Sequence, residues 1–198
     1  MSKTILIGSP NSGKSLLFNR LTGLNQKVAN FPGVTVNINT GKSLAQPSNE
    51  FLDFPGAYSL QTISAEEKIA VDAFYTALND PEISTVICVV DATRLEKGLI
   101  FALQVINACA EHQKPLVIAA NMIDVLEQHS LNLNIAGLEK ALGVPVIPVS
   151  AKSGSGLEQL QDTAINHRQL PNTYTSDIIA SDESVTHRQA QQLAQDYG

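Results

Sequence analysis

Short apolar runs alternate along this chain with longer stretches in which apolar residues recur every three or four positions. The runs at Lys3–Ile7, Glu50–Asp53, Thr85–Val90, Leu116–Ala120 and Val144–Val149 predict strands. Val34–Gly41, rich in β-branched and polar residues, predicts one more, after a loop over Thr22–Pro32. Helical periodicity runs from Gly13–Lys14 to Leu21, then over Ser64–Leu78, Leu95–Glu111, Leu133–Leu142 and Gly156–His167. Ser64 followed three residues later by Glu67 is a capping box, Asn79-Asp80-Pro81 stops the same helix, and Gly143 closes a later one. Strands alternating with helices imply βαβ units and a parallel sheet with helices on both faces. The turn residues Gln46-Pro47-Ser48-Asn49 predict a hairpin between the second and third strands. The expected architecture is therefore α/β, with a six-stranded, mostly parallel sheet.

Leu170-Pro171 breaks the pattern, which divides the chain into a core at 1–170 and a tail at 171–198. The tail reads as a polar hinge, Asn172–Glu183, followed by one helix, Val185–Tyr197. Its apolar stripe (Val185, Ala190, Leu193, Ala194, Tyr197) is narrow, so the helix must dock on its own core, dock on a partner, or fray. A long hinge beside such a helix allows exchange between protomers, a homodimer through the C-terminal helix.

Composition narrows the classes of function. In 198 residues the formal net charge is −6, which disfavours broad nucleic-acid binding by phosphate neutralisation. No apolar stretch approaches the roughly 20 residues that span a bilayer, so a cytosolic location is expected, with any membrane portion beyond Gly198. Cys88 and Cys109 stand apart without a CxxC spacing and read as buried free thiols. His112, His129, His167 and His187 are scattered, with no ligand-spaced cluster.

The chemistry lies at the ends of the predicted strands. Gly8-Ser-Pro-Asn-Ser-Gly13-Lys14-Ser15 satisfies G-x-x-x-x-G-K-[ST] between a strand and a helix, the P-loop context. Backbone N–H groups and the helix N-terminus suit phosphates there. Lys14 suits the β- and γ-phosphates, and the Ser15 hydroxyl suits Mg²⁺. Gly8, Pro10, Asn11, Ser12, Gly13, Lys14, Ser15 and Leu16 are the expected contacts of this loop. Asp53-Phe-Pro-Gly56 follows the third strand: the acid suits Mg²⁺, and the Gly56 N–H a γ-phosphate. Asn121-Met122-Ile-Asp124 follows the strand Leu116–Ala120, and an Asp carboxylate there accepts from two donors of guanine that adenine cannot match. Ser150-Ala151-Lys152, after the last strand, brings a backbone N–H to guanine O6. In this order the four segments line the crevice where open α/β sheets bind ligands.

The order GSPNSGKS, Thr35, DFPG, NMID and SAK resembles the translation-factor-like class of small GTPases. Within that class, residues 1–170 resemble the cytosolic G domain of the FeoB ferrous-iron transporter family. The closer likeness rests on PNSGKSLLFNRLTG (10–23), NFPGVTV (30–36), DFPGAYSL with SAEEKIAVD (53–72), and NMID with Met122 in place of the usual Lys.

The resemblance implies a Ras-like P-loop NTPase fold that binds GTP and GDP with Mg²⁺ and hydrolyses GTP as a switch, gating ferrous iron uptake. It implies that Gly33, Val34 and Thr35 belong to switch I, with Thr35 on Mg²⁺ and the γ-phosphate, and that 25–36 and 57–70 are the two switches. It implies that Asn11 coordinates K⁺ beside the phosphates, the alternative being that Asn11 caps the loop. Asn11, Lys14, Thr35 and Gly56 are then the catalytic set. Ser15, Thr35 and Asp53 hold Mg²⁺, and a transporter portion follows in cis. Ser9, Ala29, Phe31 and Phe54 depart from the family pattern of Asn, Gly, Trp and Leu. Ala57 stands where Ras-like enzymes carry a water-orienting Gln, so slow intrinsic hydrolysis is expected. Two other readings share these motifs: an Era- or MnmE-type GTPase of ribosome or tRNA maturation, and a nucleotide sensor with negligible turnover.

Overall fold

In a computed structural model, residues 2–23, 26–31, 36–61, 64–172 and 183–198 are described. Strand β1 is Ser2–Gly8, followed by helix α1 (Lys14–Thr22) and the strands β2 (Gln26–Asn30), β3 (Asn37–Lys42) and β4 (Asn49–Asp53). Helix α2 (Ala65–Leu78), strand β5 (Ile83–Asp91), a 3₁₀ turn (Ala92–Arg94) and α3 (Leu95–Glu111) come next. Strand β6 (Leu116–Asn121), α4 (Ile123–Gln128), α5 (Ile135–Leu142), β7 (Val146–Pro148), α6 (Leu157–Asn166) and α7 (Glu183–Tyr197) complete the order.

The sheet runs β2-β3-β4-β1-β5-β6-β7, seven strands rather than the six expected. The extra strand is β2, in the segment read as loop. It pairs antiparallel with β3 at the sheet edge, from Gln26 opposite Gly41 to Asn30 opposite Asn37. Its side chains are half-buried or exposed, so it lacks the apolar alternation that marks a strand in sequence. The hairpin β3–β4 is also antiparallel, as its turn residues indicated, and the four remaining pairings are parallel. The short helix α4 was also unforeseen: it has no buried residue and so no periodic stripe.

Successive strand residues face opposite sides of a sheet, and the core divides accordingly. Ile5, Ile7, Val86, Cys88, Val90, Leu116, Ile118 and Ala120 join one cluster with α2, α3 and α5. Leu6, Ile87, Val89, Val117 and Ala119 join the other, against Leu17, Phe18 and Leu21 of α1 and Leu160 and Ala164 of α6. Both faces of the central strands are covered, which is why β1, β5 and β6 read as unbroken apolar runs.

The helix ends follow local chemistry. Ser64 Oγ accepts from Glu67 N at 3.1 Å, and Glu67 Oε2 accepts from the Ser64 hydroxyl at 3.3 Å. Asn134 caps α5 through Gly137 N at 3.0 Å, and Gly143, at φ 67°, ends it.

The tail helix lies against its own core. Ala190 is fully buried in the larger cluster, and Leu193, Ala194 and Tyr197 pack on it beside α3 and α5. The Tyr197 carbonyl accepts from Asn134 N at 2.9 Å, tying the helix end to the start of α5. Ala190, Leu193, Ala194 and Tyr197 of the stripe read from the sequence are thus packed within the chain. The Val185 side chain and residues 173–182 of the hinge lie outside the described residues.

Both thiols are buried, Cys88 pushed by burial up to about 12 and Cys109 raised well above its ordinary range. Since only the thiolate reacts, iodoacetamide at about pH 8 should leave both cysteines unmodified in the folded chain and alkylate both in guanidinium. Rapid labelling of the folded chain, read by intact mass, would contradict this packing.

Candidate functional site

Four loops meet at one end of the sheet because the parallel strands that launch them are in register. Leu6 lies opposite Asp53, Gly8 opposite Val89, and Asp91 opposite Asn121. The chain leaves β1 toward β4 on one side and β5 on the other, so the crevice opens above β1.

The loop from Gly8 to Lys14 turns through two left-handed residues, Asn11 at φ 65° and Gly13 at φ 81°. Gly13 also meets the Asn121 side chain so closely that a Cβ would sit 2.3 Å from Asn121 Nδ2. Any larger residue would therefore clash as well as strain the backbone. Helix α1 begins at Lys14, directing its N-terminus at the loop. Ser9, Pro10, Asn11, Gly13, Lys14, Ser15, Leu16 and Gly56 line a cleft of about 340 Å³. A Cβ on Gly56 would lie 3.1 Å from the Gly8 carbonyl, so the DFPG turn rests directly on the phosphate loop.

The charges in this cleft are matched. Lys14 Nζ donates to Asp53 Oδ1 in an ion pair whose side chains are only 10% and 6% exposed. The Ser12 hydroxyl is buried with no hydrogen-bond partner among the described residues. Asn11 and Ser15 are exposed at the mouth, and neither side chain has a partner among the described residues. An ammonium, an orphaned hydroxyl and a helix N-terminus suit phosphate oxygens. The hard oxygen donors Ser15 and Asp53 suit Mg²⁺. Gly33, Val34 and Thr35 lie outside the described residues.

On the other side of the loop, Asn121 is 2% exposed and joins two motifs. Its Nδ2 donates to the Ser12 carbonyl at 3.0 Å, and its Oδ1 accepts from Ala151 N at 3.0 Å. Ala151 N–H thereby has a partner within the chain, and the Lys152 amide is the next donor along the loop. Met122, at φ 69°, turns the chain into α4, and Ile123 N donates to Val149 O at 3.2 Å. Asp124 follows in the first turn, half-buried and without a partner among the described residues. Ser150 is buried, and its hydroxyl accepts from Ser153 N at 3.1 Å.

Three features were missed in the sequence. Arg20, late in α1, donates to the carbonyls of both Ala151 and Lys152. Gln104, buried on α3, accepts at Oε1 from Leu60 N at 2.7 Å, holding the segment after DFPG. Neither residue belongs to the P-loop, DxxG, NxxD or SAK motifs, and polar residues of these types usually face water. The third feature is that two departures from the family pattern touch. Phe31 packs edge-on against Phe54 with centroids 5.6 Å apart, and Phe54 meets Phe74 of α2 at 6.5 Å. Phe74 is fully buried and Tyr75 packs beside it. Ala57 is 1% exposed in the core. No group of three or more metal-ligating side chains occurs among the described residues, and no described helix is long and apolar enough to cross a membrane.

A mixed sheet with parallel centre, a P-loop opening its first helix, and DxxG, NxxD and SAK turns at successive strand ends define a P-loop G domain. The family model described as "Ferrous iron transport protein B" matches residues 2–165. The Fe(2+) transporter FeoB of Legionella pneumophila (strain Paris) is 39% identical over 85% of this chain and 22% of its own length. That of Escherichia coli K12 is 40% identical over 79% of this chain and 20% of its own length. Among solved structures, an S. thermophilus NFeoB mutant bound to mGDP superposes with a TM-score of 0.76, at 32% identity, over 100% of this chain and 82% of that one. The T. maritima FeoB cytosolic domain in GMPPNP form gives 0.72 at 36% identity, over 85% of this chain and 64% of that one. The chain therefore belongs to the ferrous iron transport protein B family, as its motifs suggested, and spans about a fifth of the length of these transporters.

The buried ion pair yields a test. In the nucleotide-free chain, Asp53→Asn and Lys14→Met should each cost about 2 kcal/mol, because each leaves a charge without its partner. The double variant should lose at least 1 kcal/mol less than the sum, roughly the coupling of one contacting pair. Strictly additive losses in urea unfolding would show that the pair does not stabilise the chain.

Proposed function

We propose that this G domain binds GTP with Mg²⁺, hydrolyses it slowly, and uses the cycle to gate ferrous iron uptake by a transporter portion of the same polypeptide beyond Gly198. The observation that carries this reading is the pairing of Lys14 with Asp53 beside the phosphate loop, together with Asn121 tying that loop to the SAK turn. The family relatives, named Fe(2+) transporters and about five times longer, support the coupling to iron. Residues 1–170 are the catalytic domain on this reading, and 171–198 are a linker and one helix, the stub of, or replacement for, a helical domain.

Binding exchanges partners at the ion pair. Phosphate oxygens take the place of the Asp53 carboxylate at the Lys14 ammonium, which frees Asp53 toward the metal. Ser15, Asp53 and Thr35 would hold Mg²⁺, whose charge offsets that of the phosphates. Water attacks the γ-phosphorus, the bond to the bridging oxygen breaks, and GDP and phosphate leave. Lys14, the loop N–H groups and the Gly56 N–H stabilise the charge on the transferring group. With Ala57 packed into the core, no side chain at that position orients the water, so turnover is slow. Asn11 stands at the mouth of the loop with no partner among the described residues, which favours K⁺ coordination over the loop-capping alternative. A cation there would supply charge as an arginine finger does. Switches at 25–36 and 57–70 respond to loss of the γ-phosphate.

Asp124→Ala should weaken GTP binding by about 2 kcal/mol, roughly thirtyfold, with ATP binding unchanged. Equal affinity of the unsubstituted chain for GTP and ATP would sink the guanine assignment. Single-turnover hydrolysis should be faster in K⁺ than in Na⁺, and Asn11→Ala should remove that difference while sparing GDP affinity. Identical rates in the two salts would return Asn11 to a purely structural role in the loop.

A further inference from the structure

Arg20 lies within the stretch 10–23 that carries the family likeness but outside the nucleotide motifs themselves, yet it makes two hydrogen bonds to the SAK turn. Its Nε donates to the Ala151 carbonyl at 3.0 Å and its Nη2 to the Lys152 carbonyl at 2.6 Å. A guanidinium presents its donors in a rigid planar fork, so gripping two consecutive carbonyls fixes the orientation of the backbone between them. We propose that Arg20 is a positioning residue for purine recognition, holding the 151–152 peptide so that its N–H faces the base; this rests on the guanine-binding reading above.

The argument runs through the planarity of the peptide. In a trans peptide the C=O and the following N–H point in opposite directions. With the Ala151 carbonyl held toward α1, the Lys152 N–H is directed away from Arg20. The next peptide is constrained as well, because Lys152 O is held by Arg20 and Ser153 N donates to Ser150 Oγ at 3.1 Å. The preceding amide, Ala151 N, is already engaged by Asn121. The turn is thus pinned from both sides, by Asn121 from β6 and by Arg20 from α1.

These contacts close a ring. From Ser12 in the phosphate loop it passes through Asn121 to Ala151, through Arg20 to α1, and back along that helix to Lys14. The helix whose N-terminus faces the phosphates therefore holds, near its other end, the turn proposed to face the base. Cutting the ring at Arg20 leaves every motif residue in place and frees only the orientation of the turn. The consequence should be specific to the 6-oxo group of the purine and to escape of the nucleotide past the turn.

The test uses the full 198-residue chain, Arg20→Ala and Arg20→Lys. Equilibrium binding is measured for GTP and for 2,6-diaminopurine riboside triphosphate, which keeps the 2-amino group, replaces the 6-oxo group by an amine and loses the N1–H, a loss shared by parent and variants that cancels in the change of ratio. Dissociation of a fluorescent GDP is followed by stopped flow. In Arg20→Ala the preference for GTP over the diaminopurine nucleotide should fall about tenfold, one hydrogen bond's worth, and GDP release should quicken by a similar factor. Arg20→Lys, with a point charge able to serve one carbonyl, should fall between. A general loss of structure would weaken both nucleotides alike and leave their ratio unchanged. An unchanged ratio in both variants, alongside intact GTP preference over ATP in the parent, overturns the role of Arg20 alone. Should Arg20→Ala fail to fold, the ratio in Arg20→Lys decides by the same criterion. A parent chain that does not prefer GTP to ATP overturns this proposal together with the reading on which it rests.

Discussion

Asn121 uses both ends of one buried side-chain amide, and the two ends cannot be exchanged. The Ser12 carbonyl needs a donor and the Ala151 N–H needs an acceptor, so only one orientation of the amide satisfies both. At 2% exposure, losing either bond would strand a polar backbone group away from water, a penalty of about 1–3 kcal/mol. That double requirement sets the distance between the phosphate loop and the turn after β7. The rest of the crevice depends on it. Gly13 must lack a side chain because Asn121 occupies the space, and Met122 adopts a left-handed turn as the chain leaves β6.

The opposite wall of the cleft is built differently. Where Asn121 joins the phosphate loop to the SAK turn by hydrogen bonds, the DFPG side is held by an ion pair and by aromatic packing. Lys14 and Asp53 neutralise one another, while Phe31, Phe54 and Phe74 form a line of edge-on rings from the end of β2 to α2. Edge-to-face contacts add about 0.5–1.5 kcal/mol per pair beyond area burial, and slight shifts of the rings keep much of that. The two sides thus differ in kind: one is directional and tight, the other tolerates movement. This division suits a site in which the base is held throughout and the terminal phosphate is lost.

How much of this was legible follows from where each signal resides. The central strands and α3 were read within two residues of their ends, because both faces of β5 and β6 are apolar and α3 buries a continuous stripe. The P-loop, DFPG, NMID and SAK turns were legible because phosphate and base recognition impose residue types at fixed spacings. Strand β2 was not legible: it is an edge strand with Val28 69% exposed, and its pairing with β3 is a backbone property. Helix α4 has no fully buried residue, and its start is set by the turn at Met122 rather than by periodicity. Arg20 and Gln104 were invisible for a third reason, since each acts through the backbone of a segment far away in sequence. The likeness of the chain to its family could name the motifs but not these bonds.

Gln104 bears on the direction in which a signal could leave the site. It lies on α3 and binds Leu60 N and the Ser59 hydroxyl, the first turns of chain after the DFPG glycine. The same helix carries α7, whose Ala190 is buried in the shared core, and α7 is the last element before Gly198. A displacement of residues 57–60 that broke the Gln104 contact would leave a buried amide unmatched on α3. Rotation or translation of α3 to relieve that cost would act directly on the seat of α7. Coupling by this route requires two arrangements of one packed helix, not a soft loop, because packed interfaces shift between discrete states. The helix is 17 residues long and buried along most of one side, so such a shift would involve its whole packed face. The hydrogen bonds to Gln104 at one end of this path and the packing of Ala190 at the other are what would make the tail sensitive to the nucleotide.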